Sequence, residues 1–405
     1  MSELHVGIDV SRDTHHVVLT DPTATARWGH LTVPNDAGGA VRLGEEVQRV
    51  ADAHACDHVR CGLEATGVYA WHLALWLAQA PESLTVPTTV YLLQPRSVHA
   101  YAQSYGAKRG KTDRQDAWLI AELLDHPKLL PHPFRVADRT LALQRLTRHR
   151  FHLVRQMTRL KNYAASYLFL KANGLVQHPP QSDRFGAATQ AVLEAYHTVE
   201  DIAAASLEDL VQCLQQGAQA TRQAAQASFR LPGTLKDPVH QILSWTLQDI
   251  RYYQSQLKVV ERRIAQEPVT RINRLRTIPG YGPVFSAGTL SEIGDIQYFL
   301  TDNQLAQFAG ITWPAHQSGD FEAEETPMAR TGNVFLRYYL LEAANSVRRY
   351  DATYAAFYAK EYAEATKHAH RRALVLTARK LTRLVFALLR DDRAYDPEHE
   401  SVLPH

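Results

Sequence analysis

Short apolar runs closed by turn residues open the chain, and long periodic stretches take over after about residue 140. Residues 4–10 (Leu-His-Val-Gly-Ile-Asp-Val) predict a buried strand, 15–20 a second, and 28–33 a third that stops at Pro34. A helix is expected over 37–53, a fourth strand over 59–64, a helix over 69–79, a fifth strand over 88–93 and a helix over 96–105. Thr112 followed by Gln115 fits a capping box, and Trp118, Leu119, Ala121, Leu123 and Leu124 supply the buried side of the helix it starts.

Three strands in a meander, then alternating helices and strands, is the order of the ribonuclease-H-like (RuvC-like) fold. That order places Asp9 on the first strand between Ile8 and Val10, and Glu64 at the end of the fourth. Asp113 and Asp116 fall three apart on one face of the following helix. An ionised carboxylate in an apolar strand is unfavourable unless paired or metal-bound. Together the four acids can hold two Mg²⁺ (or Mn²⁺) ions about 3.5–4 Å apart and grip a scissile phosphate. Lys108, Arg109, Lys111 and Arg114 beside them suit a phosphate backbone. Taken alone, acids in a first helical turn also suit the helix dipole. Strand-turn-strand with an early Asp opens actin-like sugar kinases too, but no convincing glycine-rich phosphate loops follow. His54, Cys56, Asp57 and His58 are too close in sequence to close a tetrahedral site and read as a surface loop.

In the middle, Leu146, Leu153, Leu160 and Tyr167 recur every seven residues, with Leu143, Met157 and Ala164 as companions and Arg150 interrupting the seam. A second set runs Val239, Leu243, Thr246, Ile250, Tyr253, Leu257, Val260, Ile264. Two such segments predict antiparallel arms or a coiled coil between chains, the alternative being helices packed on their own domain. The insert 172–238 between them is Ala/Gln-rich and helical after Pro179-Pro180. Residues 277–294 predict a helix-hairpin-helix element in which Gly280 and Gly282 let backbone amides approach a phosphate, or else a plain turn. Ser318-Gly319 falls in a polar loop, with Asp320, Glu322, Glu324 and Glu325 directly after it, and Arg330 to Arg337 opens another helix. The expected division is 1–130, a metal-binding α/β domain; 131–270, a helical coiled-coil region; and 271–405, a mostly helical domain.

Composition and charge narrow the class. With 45% apolar residues, no apolar stretch of membrane-span length and no signal-peptide layout, 405 residues predict two or three soluble globular domains. Three cysteines form no disulfide framework, as suits a reducing cytoplasm. The net charge is only +2, but Arg135 to Lys161 carries eight Lys/Arg against one acid, and Lys367 to Arg390 carries seven and none. Basic residues gathered on particular helices point to a polyanion, and Arg148, Arg155 and Arg159 are the candidate contacts on the first of them.

Asp9 in Gly-Ile-Asp-Val, Glu64 in Leu-Glu-Ala-Thr-Gly and the run Lys111-Thr-Asp-Arg-Gln-Asp-Ala117 resemble the insertion-sequence transposases with a RuvC-like DEDD domain. The proline-glycine hairpin, Gly310-Ile-Thr, Ser318-Gly319 and Gly332-Asn333 with Leu336-Arg337 resemble the second half of the same family, the bridge-RNA-guided serine recombinases. The resemblance implies a Mg²⁺-dependent DEDD site working with a serine nucleophile, by position Ser318. It also implies a structured bridge RNA as guide, donor and target double-stranded DNA, and a homo-oligomer that is a tetramer when assembled on DNA. Arg330 and Arg337 become candidate nucleic-acid contacts, and a bacterial cytoplasmic, nucleoid-associated protein is expected. Two other classes remain: a metal-only RuvC-like nuclease or junction resolvase, and a non-catalytic nucleic-acid-binding protein.

Overall fold

The computed structural model describes residues 2–23, 26–65, 67–79, 81–104, 112–135, 138–214, 216–268, 273–313, 317–318, 321–322, 328–329 and 331–397. Lys108, Arg109, Lys111 and Arg330 lie outside them. The chain divides into two compact units, 1–138 and 139–405, so the middle and carboxy-terminal parts share one unit.

In the first unit, β1 (Glu3–Val10), β2 (Thr14–Thr20) and β3 (Arg27–Pro34) form the meander, followed by α1 (Ala37–Ala53), β4 (His58–Glu64), α2 (Trp71–Ala78), β5 (Thr88–Leu93), α3 (Pro95–Ser104) and α4 (Asp113–Leu123). The sheet order is β3-β2-β1-β4-β5, antiparallel across the meander and parallel from β1 through β4 to β5. Strand alternation assigns the two faces. Leu4, Val6 and Ile8 of β1 and Val59, Cys61 and Leu63 of β4 join Leu43, Val47, Leu73 and Leu77 of α1 and α2 in the main core. The intervening residues face α3 and α4, whose Val98, Tyr101, Leu119, Ile120 and Leu123 form a smaller core with Leu93.

The second unit opens along α5 (Asp138–Gln177), which is kinked at Ala172. Four short helices follow, α6 (Ala187–Ala195), α7 (Val199–Ala204), α8 (Leu207–Cys213) and α9 (Ala218–Gln226), and then α10 (Gly233–Gln266). The two long helices run antiparallel: Arg150 pairs with Glu261 at 2.7 Å, and Lys171 Nζ donates to His240 Nδ1 at 2.9 Å. Arg150, the break in the heptad seam, is thus nine-tenths buried and paired across it. Val239, Leu243, Thr246, Ile250 and Ile264 of the second seam are buried within the chain, while Tyr253, Leu257 and Val260 are half-buried. The insert packs its short helices into one cluster with Leu168, Leu175, Leu243 and Leu247 of the long pair.

Beyond α10 come α11 (Pro283–Ile293), α12 (Asp302–Ala309), the short strands β6 (Gln317–Ser318) and β7 (Phe321–Glu322), α13 (Val334–Tyr350), α14 (Ala352–Glu364) and α15 (Ala369–Arg390). They enclose a core of Leu305, Leu336, Leu340, Val347, Leu381 and Leu388 among others. A full helix-hairpin-helix does not emerge among the described residues. What precedes the hairpin is one 3-10 turn, Arg274–Thr277, and only the second helix, with Pro283 at its start, is complete.

Candidate metal and nucleic-acid site

Two glycines decide where the helix bearing Asp113 and Asp116 lands. Gly7 of β1 and Gly62 of β4 stand opposite each other in the parallel register. A Cβ on Gly7 would overlap the backbone of α4 at Ala117 and Ala121, and one on Gly62 would come 2.9 Å from the Ile120 side chain. Side chains there would hold the helix off the sheet, whereas their absence seats α4 directly on the strands. Asp9 and Glu64 lie two residues further along the same face, at the ends of the parallel pair. The turn of α4 before Ala117 carries Asp113 and Asp116, and Thr112 caps it by accepting from the Gln115 amide at 3.3 Å. Four carboxylates predicted from separate segments therefore share one end of one face.

Their electrostatics show it. Burial, then the charges of Asp116, Asp113 and Glu64 in that order, push the Asp9 carboxyl up to about 6, with His16 opposing. His16 is registered opposite Asp9 in the antiparallel pair, and its Nε2 lies 3.3 Å from Asp113 Oδ2. Thr32 on β3 fixes the ring from the other side, Oγ1 to Nδ1 at 3.1 Å. Arg114 reaches His30 of the same strand at 3.4 Å. Sequence reading missed this imidazole because nothing in residues 14–20 marks it. Once the meander is assigned, its parity on β2 puts it on the face of Asp9.

As the side chains stand, no three His, Cys, Asp or Glu among the described residues close around one point tightly enough to hold an ion. The field at Asp9 reaches further: Asp116, Asp113 and Glu64 all raise its carboxyl, and His16 opposes them. That field acts over several ångströms and does not require the carboxylates to touch. Hard oxygen donors gathered in this way fit a hard divalent cation.

The second unit presents a different arrangement. Ser318 lies on β6, which pairs antiparallel with β7, and is registered opposite Phe321. The stem below is pinned twice, by Ala329 N–H donating to Thr312 O at 2.8 Å and Asn333 N–H to Phe308 O at 2.7 Å. Gly310, at φ +69°, lets this stem close, since a Cβ there would overlap Thr331 O. Arg337 donates to Ala309 O at 3.1 Å, so its guanidinium closes the end of α12 beneath the stem. Asn333 caps α13, accepting from Phe335 and Leu336, and donates to the buried Glu292 at 2.8 Å.

Glu292 also takes both ends of Arg148, at 2.7 and 2.8 Å, and the Arg148 guanidinium rests on the Phe335 ring. Arg148 is thereby a structural partner of Glu292, and its neighbours Arg155 and Arg159 are exposed. Gly280 also has protein beside it. At φ +82° it packs on the end of α13, where a Cβ would meet Tyr350 at 2.8 Å and Val347 at 3.1 Å, so it faces protein. Gly282 has open space beside it.

A β3-β2-β1-β4-β5 sheet with acids at the ends of its central strands and on the covering helix is consistent with a DEDD, ribonuclease-H-like domain. Comparison with known proteins sharpens this. Residues 6–170 match the profile of the IS110 DEDD transposase domain, and residues 272–359 match that of the transposase IS116/IS110/IS902 family. The two together span more than half of the chain. A pilin gene-inverting protein of Moraxella bovis is 24% identical over 98% of both chains. A 44.8 kDa protein of insertion element IS116 from Streptomyces clavuligerus is 24% identical over 97% of this chain and 96% of its own. A probable family 20 transposase of Pseudomonas aeruginosa is 26% identical over 64% of this chain and 65% of its own. The chain belongs to the IS116/IS110/IS902 family of transposases. Membership implies cutting and rejoining of DNA. No helix among the described residues is long and apolar enough to cross a membrane.

Proposed function

We propose that the protein is the recombinase of an insertion sequence, carrying out RNA-guided strand exchange through a serine nucleophile. The observation that carries the reading is the convergence of Asp9, Glu64, Asp113 and Asp116, felt by Asp9 as a carboxyl raised to about 6. These acids would hold Mg²⁺ or Mn²⁺, which when bound supplies charge to stabilise the phosphate oxygens in the transition state. Ser318 Oγ would attack the scissile phosphorus, losing its proton as the bridging oxygen leaves as a strand-end hydroxyl. The phosphoserine bond conserves the energy of the broken one, so the reverse attack by a new strand end rejoins DNA without ATP. A bridge RNA would choose the donor and target duplexes, and a dimer or tetramer would bring the ends together.

A metal-only hydrolase is the rival, since all four acids lie in one unit. The relative named as a gene-inverting protein argues against it. Inversion leaves every strand rejoined, and hydrolysis forfeits the bond energy that rejoining uses.

The test separates the two. On DNA carrying an element end, Asp116→Asn should lower cleavage about a thousandfold, the several kcal/mol that a phosphate-bound metal supplies. Ser318→Ala should lose strand exchange and the protease-sensitive protein–DNA adduct seen in a stalled wild-type reaction. Cleavage by Ser318→Ala at the wild-type rate would leave a hydrolase.

A further inference from the structure

The stretch from Lys367 to Arg390, seven Lys/Arg and no acid, finds no use in the reading above. The structure splits it. Arg379 and Arg383 turn inward to Asp302, at 2.9 and 3.7 Å, and Arg390 donates to Phe299 O at 2.9 Å. Lys380 lies over the Tyr354 and Phe357 rings. These four hold α15 against α12 and α14. At the amino-terminal end, Lys367 and Arg371 are exposed, and neither forms an ion pair with a carboxylate among the described residues.

Beside them runs an aromatic row that the core does not use. The Tyr358 ring carries the Arg348 guanidinium 4.2 Å from its centroid. Its hydroxyl meets His370 Nδ1 at 2.7 Å, and Tyr362 follows one turn on, with ring centroids 5.9 Å apart. Tyr362 is 50% exposed. Residues 348–372 hold six Lys/Arg against three acids, one of which, Asp351, is buried and caps α14. Glu361 and Glu364 remain on α14, so the positive charge gathers toward the α15 end. Rings with a free face stack on bases that are not already paired, while cations at their side meet phosphates. A duplex hides its base faces and has no use for the rings.

We propose that the α14–α15 corner is a docking surface for an unpaired nucleic-acid strand, with a base stacked on Tyr362 and phosphates at Lys367 and Arg371. The full-length protein is titrated into fluorescent 12-nucleotide single strands, one DNA and one RNA, and into the matching duplex. Tyr362→Ala should weaken single-strand binding at least about fivefold, Tyr362→Phe should restore it, and duplex binding should stay put. Arg371→Ala should lower the single-strand salt slope by about 0.7. Whichever strand loses more identifies its chemistry, the 2′-hydroxyl being the difference. The proposal is overturned if Tyr362→Ala binds single strands within twofold of wild type with an unchanged melting curve. It is equally overturned if Tyr362→Phe is as impaired as Tyr362→Ala, or if duplex binding falls as far as single-strand binding.

Discussion

Asp9 in the first unit and Glu292 in the second are both carboxylates in mostly apolar surroundings, and their neighbours differ in sign. Around Asp9 stand three more acids and one imidazole, and its carboxyl is driven up to about 6. Around Glu292, whose side chain is fully buried, stand Arg148, Asn333 and Gln144, all donors. The second arrangement is complete in the folded chain, tying α5, α11 and the start of α13 together. A buried carboxylate ringed by donors holds a fold together, whereas carboxylates crowded on one another raise each other's pKa, a cost that a bound cation would relieve.

Breaking the neutralised cluster should have the larger effect on stability. Glu292→Gln leaves Arg148 without its carboxylate and should destabilise the second unit by about 3 kcal/mol, the low end for a buried pair because Arg148 keeps some water contact. A thermal or urea melt reads this directly, and an unchanged midpoint would show that the pair contributes nothing.

The two glycines under α4 sharpen the other side. Gly7→Ala drives a methyl into helix backbone, which cannot yield without α4 moving, at a cost of about 1–3 kcal/mol. Gly62→Ala meets no backbone, only the Ile120 Cγ2 methyl at 2.9 Å and the ends of the Leu124 and Leu93 side chains at 3.2 and 3.3 Å, which can give by a few tenths of an ångström. Mn²⁺ affinity should therefore fall much further in Gly7→Ala than in Gly62→Ala. Equal losses would mean that α4 is not what places Asp113 and Asp116.

The smallest effect separates two arginines of one helix. Arg159→Ala should leave the melting temperature alone and flatten the salt dependence of RNA binding by about one unit of slope, whereas Arg148→Ala should do the reverse. Both arginines losing RNA affinity with intact melts would return Arg148 to the nucleic-acid surface.

What could be read in the sequence followed what is local. Alternation along 4–10 and 59–64 gives both the strands and the face on which Asp9 and Glu64 fall, and Thr112 marks the start of α4 within a residue. The glycines carried half a signal: Gly in a strand interior suggests a close approach, without saying of what. The pairing of Arg148 with Glu292 spans 144 residues, and no local pattern announces it. The heptads showed that α5 and α10 have an apolar side, but periodicity is silent on whether the neighbour is the same chain or another. The helix-hairpin-helix expectation rested on Pro-Gly-Tyr-Gly, which fits a tight turn whatever lies before it.

The central claim, that the acid cluster is strained by its own charge until a cation joins it, meets its most direct test in the melting of wild type and Asp9→Asn. A carboxyl raised from 3.8 to about 6 on folding penalises the folded state fully above pH 6, and the penalty fades as pH falls toward 4. With chelator at pH 8, Asp9→Asn should melt above wild type, and the gap should close between pH 6 and pH 4. Mn²⁺ at pH 8 should raise the wild-type midpoint, because it binds the folded state, and leave Asp9→Asn unmoved. A wild-type midpoint indifferent to Mn²⁺, with Asp9→Asn no more stable than wild type at pH 8, would contradict the account.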